Sequence, residues 1–176
     1  MRIHSESLIR HPQQTVYEAY RDRLPEIAAY IPDVKEILVE KRETVSEGLT
    51  KLHNGWIADR DIPTFAKAFI KPEMLRWDDF AEWRDSEHCV HWTLKLRVFS
   101  DQVTCGGTNC FIRAGDGQTT VRLEGDLDID LKNIPGVPRM FAGGLKPKIE
   151  KFIVGLITPN LQQVNESLQQ FLDDQA

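Results

Sequence analysis

Asp79 is the residue whose type and setting point most directly to chemistry. In "LRWDDFAEW" (Leu75 to Trp83), alternation places Asp79 on one strand face with Leu75, Trp77, Ala81 and Trp83, and Asp78 on the other. A carboxylate among apolar neighbours has a raised pKa and can give or take a proton near neutrality. A one-residue bulge or an edge position would instead leave Asp79 in water as an ordinary surface acid. His88 is the second candidate acid–base group. Asn54, His88 and Asn109 could each face inward, or be polar groups satisfied locally. No nucleophile–base arrangement is visible, and "CGGTNC" (Cys105 to Cys110) lies in a strand pattern rather than before a helix. His88 and His91 point to opposite faces of a strand, and the row Glu124, Asp126, Asp128 and Asp130 reads as a solvated face. No metal site and no cofactor are expected.

The chain of 176 residues carries a net charge of −5, with 41% apolar and 28% charged residues. That is the composition of one soluble globular domain, spanning residues 1–176. Lys and Arg are scattered, which disfavours nucleic acid as a partner. The start "MRIHSESLIRH" lacks the apolar core of a signal peptide, and the run "FIVGLI" (Phe152 to Ile157) is far too short to span a bilayer. A cytoplasmic protein is expected. Cys89, Cys105 and Cys110 are odd in number and form no CxxC, so they read as reduced, packed thiols.

The elements that must position these residues follow from periodicity. A first strand over Met1 to Leu8 precedes a helix opened by His11-Pro12, with Val16, Tyr20, Leu24 and Ile27 on one face and Pro25 dividing it in two. From Val34 the pattern is that of strands. A hairpin turns near Glu47-Gly48, and "HCVHWTLKLRV" and "TTVRLEGDLDIDL" each alternate apolar with polar residues. "AGDGQ" (Ala114 to Gln118) is a hairpin turn. Two connections are longer and apolar: "RDIPTFAKAFIKP" (Arg60 to Pro72) and "KNIPGVPRMFAGGLKP" (Lys132 to Pro147). The final helix carries apolar faces before and after Pro159 that differ by about 80° in direction. Pro159 clashes with the carbonyl of Gly155, so the pattern predicts either one helix kinked over a concave sheet or two helices broken at Thr158-Pro159.

Strand, two short helices, an antiparallel meander and a long C-terminal helix is an order that resembles the helix-grip fold of the SRPBCC superfamily, which includes START, birch-pollen-allergen and polyketide-cyclase proteins. The resemblance covers nearly the whole chain and implies an α+β domain: a curved sheet of six to seven strands wrapped around a kinked helix, with ligand held between them. "VYEAYRDRLPEIAAYIPDVKEILVEKR", "DIPTFAKAFIK" and the glycine-rich approach to a lysine-bearing final helix resemble PRELI-like phospholipid transfer proteins. That likeness implies that Arg21, Lys67 and one of Lys148 or Lys151 would meet a lipid phosphate.

On this fold the expected ligand lining is Trp56, Trp77, Trp92, Leu94, Leu123, Leu127, Phe152 and Leu156. The alternative is that these residues fill an ordinary core. Gly125, in an otherwise bulky inward row, suggests a bend or a close approach. Phe65, Phe69, Met140 and Phe141 would form lids, with transient membrane contact. The functional expectation is binding or transfer of a lipid-like hydrophobic molecule. A polyketide cyclase/dehydratase-like enzyme using Asp79 or His88, or a protein-interaction domain with a filled core, are the alternatives.

Overall fold

A computed structural model describes residues 1–67, 70–130 and 139–176, with side chains from residue 143 in the last segment. Seven strands, β1 (Arg2–Ile9), β2 (Val34–Ser46), β3 (Leu49–Ala58), β4 (Arg76–Arg84), β5 (Cys89–Leu96), β6 (Val103–Arg113) and β7 (Thr119–Ile129), form one sheet in the order β1-β7-β6-β5-β4-β3-β2. Every pairing is antiparallel. Helices α1 (Gln13–Asp22) and α2 (Leu24–Ile27) follow β1, divided at Arg23 with Pro25 in the first turn of α2, and α3 (Arg139–Asp174) closes the chain. This is the helix-grip architecture.

Alternation sets which face is buried. On β4, Trp77, Asp79, Ala81 and Trp83 point inward, and on β5 Val90, Trp92, Leu94 and Leu96 do so. They meet α3 through Ile149, Ile153, Leu156 and Ile157, then Val164, Leu168, Phe171 and Leu172. The strand β2 is an edge, exposed along most of its length, and its register with β3 shifts at three places, Val34/Glu36, Val39/Lys41 and Thr44/Ser46.

Gly125 answers to a close approach. It lies opposite Gly107 across β6 and β7, and Gly107 lies opposite Trp92 across β5 and β6. A Cβ on Gly125 would stand 3.0 Å from the Trp92 ring, and one on Gly107 would stand 2.7 Å from it. The paired glycines make the bed in which that indole lies.

The final helix is continuous through both Pro147 and Pro159, rather than two helices broken at Pro159. It also begins at Arg139, so the second apolar connection ends earlier than its glycines and Pro147 suggest. Proline removes one donor without ending a helix whose apolar side is held by packing. Pro159 leaves the Gly155 carbonyl without its partner four residues on. The Arg60 guanidinium, just after β3, donates to that carbonyl and also to Asp33 Oδ2 at 3.0 Å.

The cysteines depart from expectation. Cys89 and Cys110 face each other across β5 and β6 and form a disulfide, while Cys105 is a free, buried thiol. The pair is set by strand register over a separation of 21 residues, which no local cysteine motif announces.

If Arg60 caps the carbonyl that Pro159 frees, the two positions are coupled. Arg60→Ala should cost about 1 kcal/mol in urea unfolding and distinctly less in a Pro159→Ala background, where the helix supplies its own N–H. Equal costs in the two backgrounds would break the link.

Candidate functional site

A gap opens between the inner face of the sheet and α3. Asn54 and Trp56 come from β3, Trp77, Asp79, Ala81 and Trp83 from β4, Val90, Trp92 and Leu94 from β5, and Asn109 from β6. Tyr20 and Leu24 close one side, and Ile157, Asn160, Leu161 and Val164 of α3 close the top. Measured to the centre of a water-sized sphere the cavity is ≈ 40 Å³; the whole non-atom space, open mouth included, is ≈ 570 Å³. The smaller figure describes the enclosed room. It corresponds to about three waters.

Strand alternation carries Asp79 inside without a bulge: β4 pairs in unbroken register with both neighbours, and Asp79 is 8% exposed. Its Oδ2 accepts a hydrogen bond from Asn54 Nδ2 at 3.1 Å, the residue directly opposite on β3. Its Oδ1 has no hydrogen bond within 3.5 Å, although the Trp56 indole N–H lies near the carboxyl. Burial pushes the Asp79 carboxyl up to about 6; the Asn54 hydrogen bond, the nearby Trp56 indole N–H and the charge of His53 pull it back only in part. Asp78 shows the contrast. It faces outward, bonded to His53 Nε2 at 2.9 Å and paired with Arg97 at 3.0 Å, and those partners hold its carboxyl below the usual range despite its partial burial.

A second polar chain crosses the gap. Trp92 Nε1 donates to Asn109 Oδ1 at 2.9 Å, and Asn109 Nδ2 reaches the Tyr20 hydroxyl at 3.5 Å. Burial, and then the Asp79 charge, raise the Tyr20 phenol well above its ordinary value. Besides Asp79 Oδ1, the lining holds four other polar atoms without partners: Asn54 Oδ1, Asn160 Oδ1 and the indole nitrogens of Trp56 and Trp83. Native interiors leave few such atoms.

The expected site residues divide. Trp56, Trp77, Trp92 and Leu94 line the gap. Leu123, Leu127 and Leu156 are buried elsewhere in the core, and Phe152 packs half-buried against it. Tyr20, Trp83, Asn160 and Ile157 line the gap without having been expected as ligand residues. Trp83 was legible, since it shares Asp79's face. Asn160 follows the helix-disrupting proline, and nothing in the sequence marked it.

His88 does not belong to the site. It sits in the β4–β5 turn with φ 49°, bonded to Gln14 at 3.2 Å and against the Tyr17 ring, because the turn begins before the inward row of β5. The three expected head-group cations do not converge either. Arg21 is held by Asp22 and Asp85, each at 2.8 Å, beside the β4–β5 turn. Its neighbour Arg23 packs on Phe171 near the end of α3. Lys148 lies in the first half of α3, over the Phe65 ring at 6.0 Å, so about 35 Å of helix separates it from the Arg21 end. Lys67 is exposed on the Phe65 segment, and Lys151 is exposed on α3. Phe65 is half-buried, Phe69 lies outside the described residues, and so do the side chains of Met140 and Phe141. No metal-binding cluster occurs among the described residues, and no described helix is long and apolar enough to cross a membrane.

No family model matches the sequence, and no curated protein matches it. Solved structures do share its fold. The protein TTHA0849 from Thermus thermophilus is similar at 21% identity and TM-score 0.63, over 96% of this chain and 97% of that one. Zhui aromatase/cyclase from Streptomyces sp. R1128 is similar at 10% identity and TM-score 0.63, over 98% and 95%. Norcoclaurine synthase from Thalictrum flavum, in complex with dopamine and hydroxybenzaldehyde, is similar at 14% identity and TM-score 0.57, over 100% and 88%. The chain therefore shares its helix-grip fold with these proteins. At these identities the likeness concerns architecture alone.

The Asp79 carboxyl has a direct consequence for stability. Its folded pKa of about 6 lies above the ordinary 3.8, so the folded protein holds this proton more tightly than the unfolded chain does. Below about pH 3 both states are protonated and ionisation costs nothing; above about pH 6 most of the penalty, about 3 kcal/mol, is present. Asp79→Asn should thus be more stable than wild type by about 1–3 kcal/mol near pH 8, the difference shrinking toward nothing near pH 3. Urea unfolding across that range checks it, and a difference that ignores pH would contradict the burial argument.

Proposed function

We propose that this protein binds a hydrophobic small molecule in the gap between β3–β5 and α3. The observation that supports this best is the set of unpartnered polar atoms along an otherwise apolar lining. A core shaped only for stability gains nothing from burying Asn160 Oδ1 or the Trp83 N–H unpaired, or from holding the Asp79 carboxyl beside the Trp56 N–H without a full hydrogen bond. A bound molecule with an apolar body and one polar end fits that lining, the body against the tryptophans and the end at Asp79.

A room of about three waters takes a small head, not an acyl tail. A lipid-like ligand enters this reading only with movement of α3 or of the connection pinned to it by Arg60. In that case the half-buried Phe65 is the described side chain that touches a membrane during exchange. Catalysis is the second reading, favoured by the free Oδ1 of a carboxyl poised at about 6.

Purification without added ligand, followed by native and denaturing mass spectrometry and solvent extraction, tests the binding reading. A releasable molecule of defined mass, absent after denaturation, is the expected result. If the mass is clean and Trp fluorescence ignores a panel of hydrophobic probes, the core is filled and the domain works through its surface.

A further inference from the structure

The lining combines all four tryptophans of the chain with one buried acid. Trp56, Trp77, Trp83 and Trp92 surround the gap, and Trp56 and Trp77 stack at 5.6 Å between ring centroids. No Lys, Arg or His contributes to the lining among the described residues. The groups around Asp79 on the inner face are neutral: Asn54 and Trp56 on β3, Leu94 on β5 and Tyr20 on α1, with Asn160 of α3 also in the lining. His53 acts only from the outer face, where it is bonded to Asp78. Three outward acids of the same sheet, by contrast, have cations beside them: Asp78 with Arg97, Glu82 with Arg84 and Glu6 with Arg122.

A buried carboxylate without a countercharge is costly, and a ligand that brings the charge removes that cost. Indole faces attract cations most strongly where water is excluded. We propose that the ligand is a small organic cation, a protonated or methylated ammonium on an apolar body, whose charged head sits against Asp79 Oδ1 within the tryptophan box. The inference rests on the binding reading above and narrows its ligand class. The enclosed room, ≈ 40 Å³ to the centre of a water-sized sphere, is of the order a methylated ammonium head needs. Asn54 keeps Oδ2 occupied, so the approach is through Oδ1.

Because every tryptophan lines the gap, intrinsic fluorescence reads the site directly. The test titrates wild-type protein with choline and with its uncharged carbon isostere, dimethylbutanol, at about pH 8 and about pH 5. Choline should bind at least about tenfold more tightly than the isostere, and that preference should fall as Asp79 protonates between the two conditions. Asp79→Asn should remove most of the preference at pH 8, and the wild-type comparison of the two probes decides the matter independently of that variant. Equal affinity for both probes would overturn the ammonium head and leave hydrophobic binding standing. A fluorescence response to neither probe would overturn both.

Discussion

A seven-stranded sheet has one apolar face to cover, and α3 is the long helix that covers it. Strands about 4.8 Å apart make such a sheet far wider than a helix about 10 Å across. The sheet must therefore curl, and most of the fold can be traced to that mismatch. The facing glycines on β6 and β7 let a large indole lie against bare backbone on the inside of the curve. The apolar stripe of α3 shifts round at Pro159 to follow the concave surface. The carbonyl exposed by that proline becomes the anchor for the segment leaving β3. Where curl and helix do not quite meet, the gap remains.

What fills that gap chemically is set by register rather than by any local motif. Asn54 stands opposite Asp79, and Trp56 opposite Trp77, because β3 and β4 pair without a slip along that stretch. The same pairing puts His53 and Asp78 together on the outer face. Two adjacent aspartates thus acquire opposite behaviour from one strand's pleat: Asp78 is stabilised as an anion by cations, and Asp79 is deprived of them. The helix adds Asn160 to the lining, whose Nδ2 turns back to the Leu156 carbonyl at 2.7 Å while its Oδ1 stays buried without a partner.

Periodicity was enough to read the strands, the split after β1 and the inward faces of β4, β5 and β7. It also raised the possibility of a buried Asp79, though a bulge that shed it to solvent gave the same local sequence. It failed where contacts join distant parts of the chain. The Cys89–Cys110 bond depends on β5–β6 register, and the Arg60–Gly155 contact joins residues that share no pattern. Leu123 and Leu127 face inward as alternation requires, yet β7 lies too far from the gap to line it, because strand order and not facing decides which inward residues meet there. Arg21 failed for a related reason. Its type suited an anion, but two carboxylates already hold it, and the fold sets it a helix-length from Lys148.

The irregular edge at β2 has a consequence for how the protein behaves in concentrated solution. A long outer strand with free backbone donors and acceptors is a template on which further chains can add. Here the outer strand slips register three times and is studded with Lys35, Glu36, Glu40, Lys41, Arg42 and Glu43. An incoming strand cannot zip along it for more than a few residues before meeting a bend or a charge. The sheet keeps an open side without that side becoming adhesive, so the molecule can expose thirteen residues of edge and still resist polymerising through it.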